Sequence, residues 1–260
     1  HGWINGDFGE SPEAIEGLRL LYEGELLYGD HLIGEVMSKL KELGLLDQTI
    51  LIVTSDHGEL FGEHGQLNHG RTIWEELVRT PCIVRFPRKF ENGRRFKALT
   101  SGLDLVPTIF DLLGEYALLE EHTPIDGKTL LAPERSMENR FLVIDSPPIV
   151  LPERLKKYPK LLSESGLIQR AIWHGKRKYI WQSDGQHFLF DYRINELPEN
   201  NLLNKEPDEA SRLHDKMVQF YLERDKNFAL DEYVVNIGNK AAGKMMDPLV
   251  KQELTRLGYL

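Results

Sequence analysis

The chain has 260 residues, of which 41% are hydrophobic, and a net charge of −9, which suits one domain or two small ones with a real core. This acidity argues against a nucleic-acid-binding protein, for which a basic face is expected, and any anion would have to be bound through a local cation. No apolar run approaches membrane-spanning length, and the single cysteine, Cys82, excludes an internal disulfide framework.

The first predicted element is a long helix. Ser11 and Pro12 are typical of a helix start, with a capping side chain followed by proline at the first helical position. Apolar residues then recur at helical spacing as far as Gly44, a residue type that favours a helix end. The sequence therefore predicts one amphipathic helix before the first strand.

A strand and a polar loop follow, and they contain the most informative residues of the chain. Thr49–Thr54 has the β-branched and leucine content of a strand buried on both faces of a parallel sheet. Asp56 and His57 come directly after it, at the edge where open α/β sheets bind ligands. A solvated surface turn is the alternative interpretation. The nearby segments Gly62–Gly65 and Asn68–Gly70 each contain a histidine, and they favour a metal and anion site instead.

Helices and strands alternate over the next residues, which is the pattern of an α/β fold. A short helix is predicted over Thr72–Arg79. Pro81–Phe86 is predicted to be a second buried strand, in which Cys82 is a small core residue. A helix over Leu103–Leu113 and a strand over Phe141–Asp145 continue the alternation.

The pattern changes near residue 150. Three short apolar runs, at about residues 168–174, 178–182 and 187–191, are joined by tight polar turns and predict an antiparallel meander. A helix over Glu206–Asp225 is predicted to back this sheet, and a short helix over Asp247–Leu260 to end the chain. We therefore predict two parts: residues 1–150 from an α/β domain, and residues 151–260 as a small α+β subdomain.

Several motifs in combination resemble the sulfatase branch of the alkaline phosphatase superfamily. The Ser-Asp-His-Gly-Glu run at Ser55–Glu59, the Gly-Glu-His-Gly segment and the run His69–Pro81 carry the resemblance. Asp104–Gly114 is similar to the family's Asp-Leu-x-Pro-Thr helix, and Leu189–Leu202 to its Leu-Tyr-Asp-Leu segment. The resemblance implies an α/β fold with part of a mostly parallel, alkaline-phosphatase-like sheet flanked by helices, followed by a small antiparallel sheet with a helix.

The resemblance also implies that Asp56 and His57 bind a divalent metal ion. Calcium is the expected ion, because many sulfatases carry Asp-Asn at this place and hold calcium. The imidazole of His57 is a less usual ligand for so hard a cation, and it would also suit Mn²⁺ or Zn²⁺.

His69 lies near the position where family members carry a lysine or histidine that contacts the sulfate or the leaving oxygen. The resemblance therefore implies that His69 is a catalytic residue that stabilises charge as the S–O bond breaks. Its alternative is a capping or core histidine. Arg71 is a second candidate for binding the anion, because a guanidinium can bond two sulfate oxygens, or else it is a solvated helix-start residue. His64 is expected to line the substrate pocket or to shape its loop.

The family's nucleophile, a formylglycine made from a Cys/Ser-x-Pro-Ser-Arg motif, has no counterpart in these residues, because Cys82 is followed by Ile-Val-Arg. We expect the nucleophile and further metal ligands to lie in an N-terminal segment, and the chain to be the C-terminal portion of a longer enzyme that is inactive alone. The expected function is hydrolysis of sulfate esters. A phosphodiesterase or phosphonate monoester hydrolase, a non-catalytic fragment, and self-association into a homo-oligomer are left open.

Overall fold

The computed structural model describes residues 11–69, 72–90, 93, 95–122, 126–146 and 167–224. Its helices are α1 (Pro12–Glu42), α2 (Glu75–Val78), α3 (Leu105–Leu113), α4 (Tyr116–His122) and α5 (Pro207–Arg224). Its strands are β1 (Leu51–Thr54), β2 (Leu60–Phe61), β3 (Leu67–Asn68), β4 (Cys82–Arg85), β5 (Phe141–Ser146), β6 (Gln169–His174), β7 (Arg177–Gln182) and β8 (His187–Asp191).

Helix α1 begins and ends as its sequence predicts. The side chain of Ser11 accepts a hydrogen bond from the backbone N–H of Ala14, and Pro12 occupies the first helical position. The helix is followed by Gly44 in the left-handed region, at φ +68°. None of the α1 residues is buried in the described structure. Leu21 and Leu27 are 71% and 73% exposed, so these two apolar side chains have no cover among the described residues.

Strands β1 and β4 form a two-stranded antiparallel sheet, in which Leu51 lies opposite Arg85 and Thr54 opposite Cys82. The two strands were expected to lie in one largely parallel sheet. They do share a sheet, but this pair is antiparallel, and the described residues between the strands hold a short ribbon and the four-residue α2 instead of a long crossover helix. The mostly parallel sheet is therefore not seen among the described strands.

The burial expected for these two strands was wrong. The residues of β1 are half-buried or exposed instead of buried on both faces. Cys82 is exposed and its neighbour Ile83 is 63% exposed. Adjacent residues of a strand point to opposite faces, so neither face of the sheet is covered by described residues at this end.

The second sheet has four strands in the order β5-β6-β7-β8, all antiparallel. This confirms the predicted meander, whose turns contain Gly175 and Gly185 at φ +57° and +85°. Strand β5 joins the sheet beside β6, which the sequence did not indicate. The predicted boundary at residue 150 falls in residues 147–166, outside the described residues, so the division into two parts stays a prediction. The predicted helix Asp247–Leu260 also lies outside them.

Both faces of this sheet are covered. On one face Ile172, Tyr179 and Leu189 pack against Leu213 and Met217 of α5, which confirms the predicted backing helix. On the other face the packing residues come from β6–β8 and from the segment before α2, and they are Ala171, Trp173, Ile180, Phe190, Ile73 and Trp74. The four-stranded sheet therefore packs against Ile73 and Trp74, which follow the histidine-containing segments in the chain.

Asp104, in the Asp-Leu-x-Pro-Thr segment, binds two distant parts of the chain through its carboxylate. It is buried and accepts hydrogen bonds from both terminal nitrogens of Arg140, at 2.6 and 2.7 Å. It also accepts the backbone N–H of Lys128 at 2.8 Å. A Cβ at Gly127 would lie 2.0 Å from the carbonyl oxygen of Leu103. The Asp-Leu-x-Pro-Thr segment and the turn at Asp126 and Gly127 are therefore held together through Asp104.

None of the helices in the described part of the chain combines the length and the apolar content that crossing a membrane requires.

Candidate active site

The loop after β1 presents the carboxylate of Asp56 to solvent. Its Oδ1 accepts the backbone N–H of His57 at 3.0 Å. This hydrogen bond, followed by the positive charge that His57 can carry, lowers the pKa of Asp56 below its usual value. The pKa is lowered further by the charge of His69. Asp56 is therefore an ionised, exposed oxygen donor between two histidines.

The ring of His57 has a defined tautomer. Its Nδ1 lies 2.8 Å from the carbonyl oxygen of Gly58, and because a carbonyl can only accept, Nδ1 carries the hydrogen. In the neutral ring Nε2 then has the free electron pair, 3.7 Å from Oδ2 of Asp56. Two ligands about 2.1 and 2.4 Å from one ion stand roughly 3.2–3.7 Å apart at bond angles of about 90–110°. The donor pair therefore fits a shared cation.

No three His, Cys, Asp or Glu side chains within the described ranges are placed so that they could hold a metal ion. Asp56 and His57 supply two donors of a coordination sphere. Metal binding by this pair stays a prediction.

His69 lies beside this pair because of the β2–β3 ribbon. Leu60 pairs with Asn68 in its antiparallel register, so the next step of the register brings Glu59 opposite His69. Nδ1 of His69 lies 2.9 Å from Oε2 of Glu59. The rings of His57 and His69 are stacked, with centroids 4.0 Å apart. The structure therefore brings together three of the five predicted site residues.

The other two predicted site residues, His64 and Arg71, do not reach this cluster in the described structure. The His64 ring is stacked on Trp74 with centroids 4.1 Å apart, and its side chain is only 7% exposed. Its Nε2 donates to Oε2 of Glu76 at 3.2 Å and lowers the pKa of that carboxyl. This placement is that of a residue that shapes the loop, the alternative already considered for His64. Arg71 lies outside the described residues.

Gly58 joins the loop after β1 to α2. Its N–H donates to the carbonyl oxygen of Leu77 at 2.7 Å. A Cβ at Gly58 would lie 1.9 Å from the carbonyl oxygen of Glu76, so no larger residue fits without moving the backbone. Packing therefore requires glycine at position 58.

A buried ionic cluster, which was not predicted, fastens α2 to the four-stranded sheet. Nζ of Lys178 lies on the buried face of β7 and donates to the carbonyl oxygen of Ile73 at 2.7 Å. It also pairs with Glu75 at 3.1 Å and with Glu196 at 2.9 Å. The partners of Lys178 could not be predicted from the sequence, because they lie far away in the chain. Only the two-residue alternation of β7 hinted that this lysine faces inward.

The described fold is similar to that of a solved hydrolase structure. The structure of a phosphonate monoester hydrolase, SpPMH from Silicibacter pomeroyi, superposes with a TM-score of 0.61 and 26% identity, over 85% of this chain and 44% of that chain. The described fold is therefore similar to part of an alkaline-phosphatase-like structure.

The sequence comparisons point to one group of hydrolases, the sulfatases. The sulfatase family profile matches residues 6–115. Arylsulfatase K of Xenopus laevis is 26% identical over 83% of this chain and 37% of its own length. N-acetylglucosamine-6-O-sulfatase of Bacteroides thetaiotaomicron is 35% identical over 42% of this chain and 19% of its own length. Residues 6–115 therefore match the sulfatase family, as the motifs indicated, and the chain spans well under half the length of these relatives.

Proposed function

We propose that this chain is part of a metal-dependent sulfuric ester hydrolase. The observation that supports the proposal most is the convergence of Asp56, His57 and His69 at the carboxyl end of β1. Its relatives at family level are sulfatases. A bound divalent cation, with Ca²⁺ as the first choice and Mn²⁺ or Zn²⁺ as alternatives, would polarise the sulfate oxygens.

Each residue of the cluster has its own role in this proposal. Oδ2 of Asp56 and Nε2 of His57 hold the cation, and Nε2 of His69 gives its proton to the departing alcohol oxygen. The nucleophile is expected to be a formylglycine, and the Cys/Ser-x-Pro-Ser-Arg motif that would form it is not among the 260 residues. The chain by itself is therefore expected to show no hydrolysis of an aryl sulfate above a buffer control.

Metal binding can be tested on this chain with Mn²⁺ as a paramagnetic probe. In the histidine-labelled chain, the ¹⁵N resonances of His57 and His69 should broaden at lower Mn²⁺ concentration than those of the other histidines. Affinity should be weak, because two protein donors are few for a hard cation. Asp56→Ala should remove the selective broadening. Asp30→Ala, a matched loss of an exposed carboxylate on α1, should not change it.

Two results would contradict the assignment of the metal pair. One is selective broadening that survives Asp56→Ala. The other is broadening that is equal at all histidines of the unaltered chain, which would indicate non-specific binding to an acidic protein.

A second candidate, hydrolysis of phosphonate monoesters, is favoured by the likeness to SpPMH. The metal pair and the fold suit either substrate. The two candidates separate by the ratio of kcat/KM for an aryl sulfate and for the corresponding aryl phosphonate monoester. This ratio should be measured in a protein that carries the upstream segment, and a ratio above one supports the sulfatase.

A further inference from the structure

We infer that Glu59 is a positioning residue that holds His69 for proton transfer. Its part in turnover rests on the proposed function, whereas the contact itself does not. Glu59 precedes β2 and faces His69 across the ribbon, with Oε2 at 2.9 Å from Nδ1. A carboxylate only accepts hydrogen bonds when it is ionised, so this contact places a hydrogen on Nδ1 of His69.

The surroundings of Glu59 favour such a role over a structural one. Its side chain is only 19% exposed, and its Oε1 is buried without a hydrogen-bond partner among the described residues. The nearby Glu63, by contrast, accepts the backbone N–H of Phe61 at 2.6 Å and pairs with Arg19 at 3.3 Å. Glu63 is thus fastened to the ribbon. Within the described part of the chain, the side chain of Glu59 contacts His69.

The position of Glu59 is itself set by packing. Gly58, the preceding residue, is pressed against the backbone of α2. The register of β2 and β3 sets the opposite side of the contact. The ring of His69 is held at its edge by Glu59 and on its face by the stacked ring of His57. These restraints leave Nε2 as the nitrogen that meets a substrate.

The tautomer matters for the reaction. When a protonated His69 gives its Nε2 proton to the departing alkoxide, the N–H bond breaks, an O–H bond forms, and the ring is left neutral with its hydrogen on Nδ1. This is the tautomer that Glu59 stabilises, so Nε2 can accept the next proton without a tautomer exchange. A ring with its hydrogen on Nε2 could not accept it there.

The contact can be tested by the long-range ¹H–¹⁵N spectrum of the histidine-labelled chain, at a pH where the ring is neutral. His69 should be mainly in the Nδ1–H form, and Glu59→Ala should remove this excess. Glu59→Gln should give a smaller change, because the amide oxygen can still accept. The matched control is Glu76→Ala, which removes the carboxylate of His64 and should move the His64 signals only. Unchanged resonances of His174 and His187 in the second sheet and of His214 on α5 report that the fold is intact.

The role in turnover is tested in the longer protein that carries the upstream segment. Glu59→Ala should lower kcat about ten- to a hundredfold for an alkyl sulfate, a poor leaving group, and much less for a nitrophenyl sulfate. KM should stay near its starting value. The control Glu35→Ala, which breaks the exposed His31–Glu35 pair on α1, should change neither.

The outcomes are distinguishable. An unchanged His69 tautomer in a folded Glu59→Ala chain would overturn the inference, whatever the enzyme does. An equal loss of kcat for both leaving groups would overturn the role in proton transfer. A protein that hydrolyses no ester at all, with the tautomer shift intact, would overturn the proposed function and leave the contact established.

Discussion

Two regions of the described structure differ in how well their side chains are buried: the four-stranded sheet with α5, and α1 with the β1–β4 sheet. The four-stranded sheet has packed side chains on both faces, and Ile172, Leu189 and Leu213 are fully buried. The α1 helix and the β1–β4 sheet bury almost nothing by themselves. The candidate site lies between these regions. It is connected to the sheet, because Gly58 contacts α2 and α2 is joined to β7 through Lys178.

The strongest test of this difference is to remove the cation that joins the site to the sheet. Lys178→Met should lower the free energy of unfolding by about 3–5 kcal/mol, because Glu75 and Glu196 would be left as buried carboxylates without a counterion. Lys39→Met, which breaks the exposed Lys39–Glu42 pair of α1, should cost at most about 0.5 kcal/mol. Urea unfolding followed by circular dichroism measures both.

The Lys178→Met variant should also loosen the site at a distance. With α2 no longer fastened, the stacking of His57 and His69 should weaken, which their NMR shifts would report. Equal losses of stability in the two lysine variants would show that the ionic cluster is not the link between the regions.

The parts of this fold that could be predicted are those set by neighbours in the chain. The cap at Ser11, the Gly44 helix end, and the turns at Gly175 and Gly185 depend on residues within a few positions, so their residue types suffice. The pairing of β1 with β4 could not be predicted, since a short apolar strand is alike in parallel and antiparallel sheets. The burial of β1 depends on which layers cover it, which is a tertiary property.

The candidate site was predictable to a similar extent. Asp56, His57 and His69 follow from motif resemblance, and the structure brings them together. Glu59 lies in the Ser-Asp-His-Gly-Glu run, but its contact with His69 depends on the register of the β2–β3 ribbon. Each strand of this ribbon has two residues, which are too few to give a recognisable sequence pattern. The partner of Glu75 could not be predicted either, because β7 brings Lys178 to it from a distant part of the chain.

An acid-sensitive contact joins Asp191, the last residue of β8, to Arg193. Arg193, helped by Arg177, lowers the pKa of Asp191 to about 2, against about 3.9 in an unfolded chain. Because the folded pKa is the lower one, the contact stabilises fully above about pH 5, and this stability is lost as pH falls through 4 toward 2. The loss should be about 1–2 kcal/mol, since Arg193 is largely exposed and its charge is screened.

Urea unfolding at pH 7 and pH 3 tests this contact. Arg193→Ala should reduce the stability difference between the two pH values, whereas Asp56→Asn should not. The lowered pKa of Asp56 comes first from the N–H of the next residue, a local contact that an unfolded chain can also form. If Asp56→Asn reduced the stability difference between the two pH values and Arg193→Ala did not, the acid-sensitive contact would lie in the first region and not in the second sheet.

The smallest effect on stability is expected on the uncovered face of α1. Leu21→Lys with Leu27→Lys should change the free energy of unfolding by no more than about 0.5 kcal/mol, because both side chains are already in water. The same change should reduce self-association, since exposed apolar patches drive it, and light scattering at several concentrations would show this. Leu213→Lys, a matched change in the core of the second sheet, should unfold that sheet. If the α1 double variant unfolded the chain as well, the apolar face of α1 would be packed in solution, and the contrast between the two regions would fail.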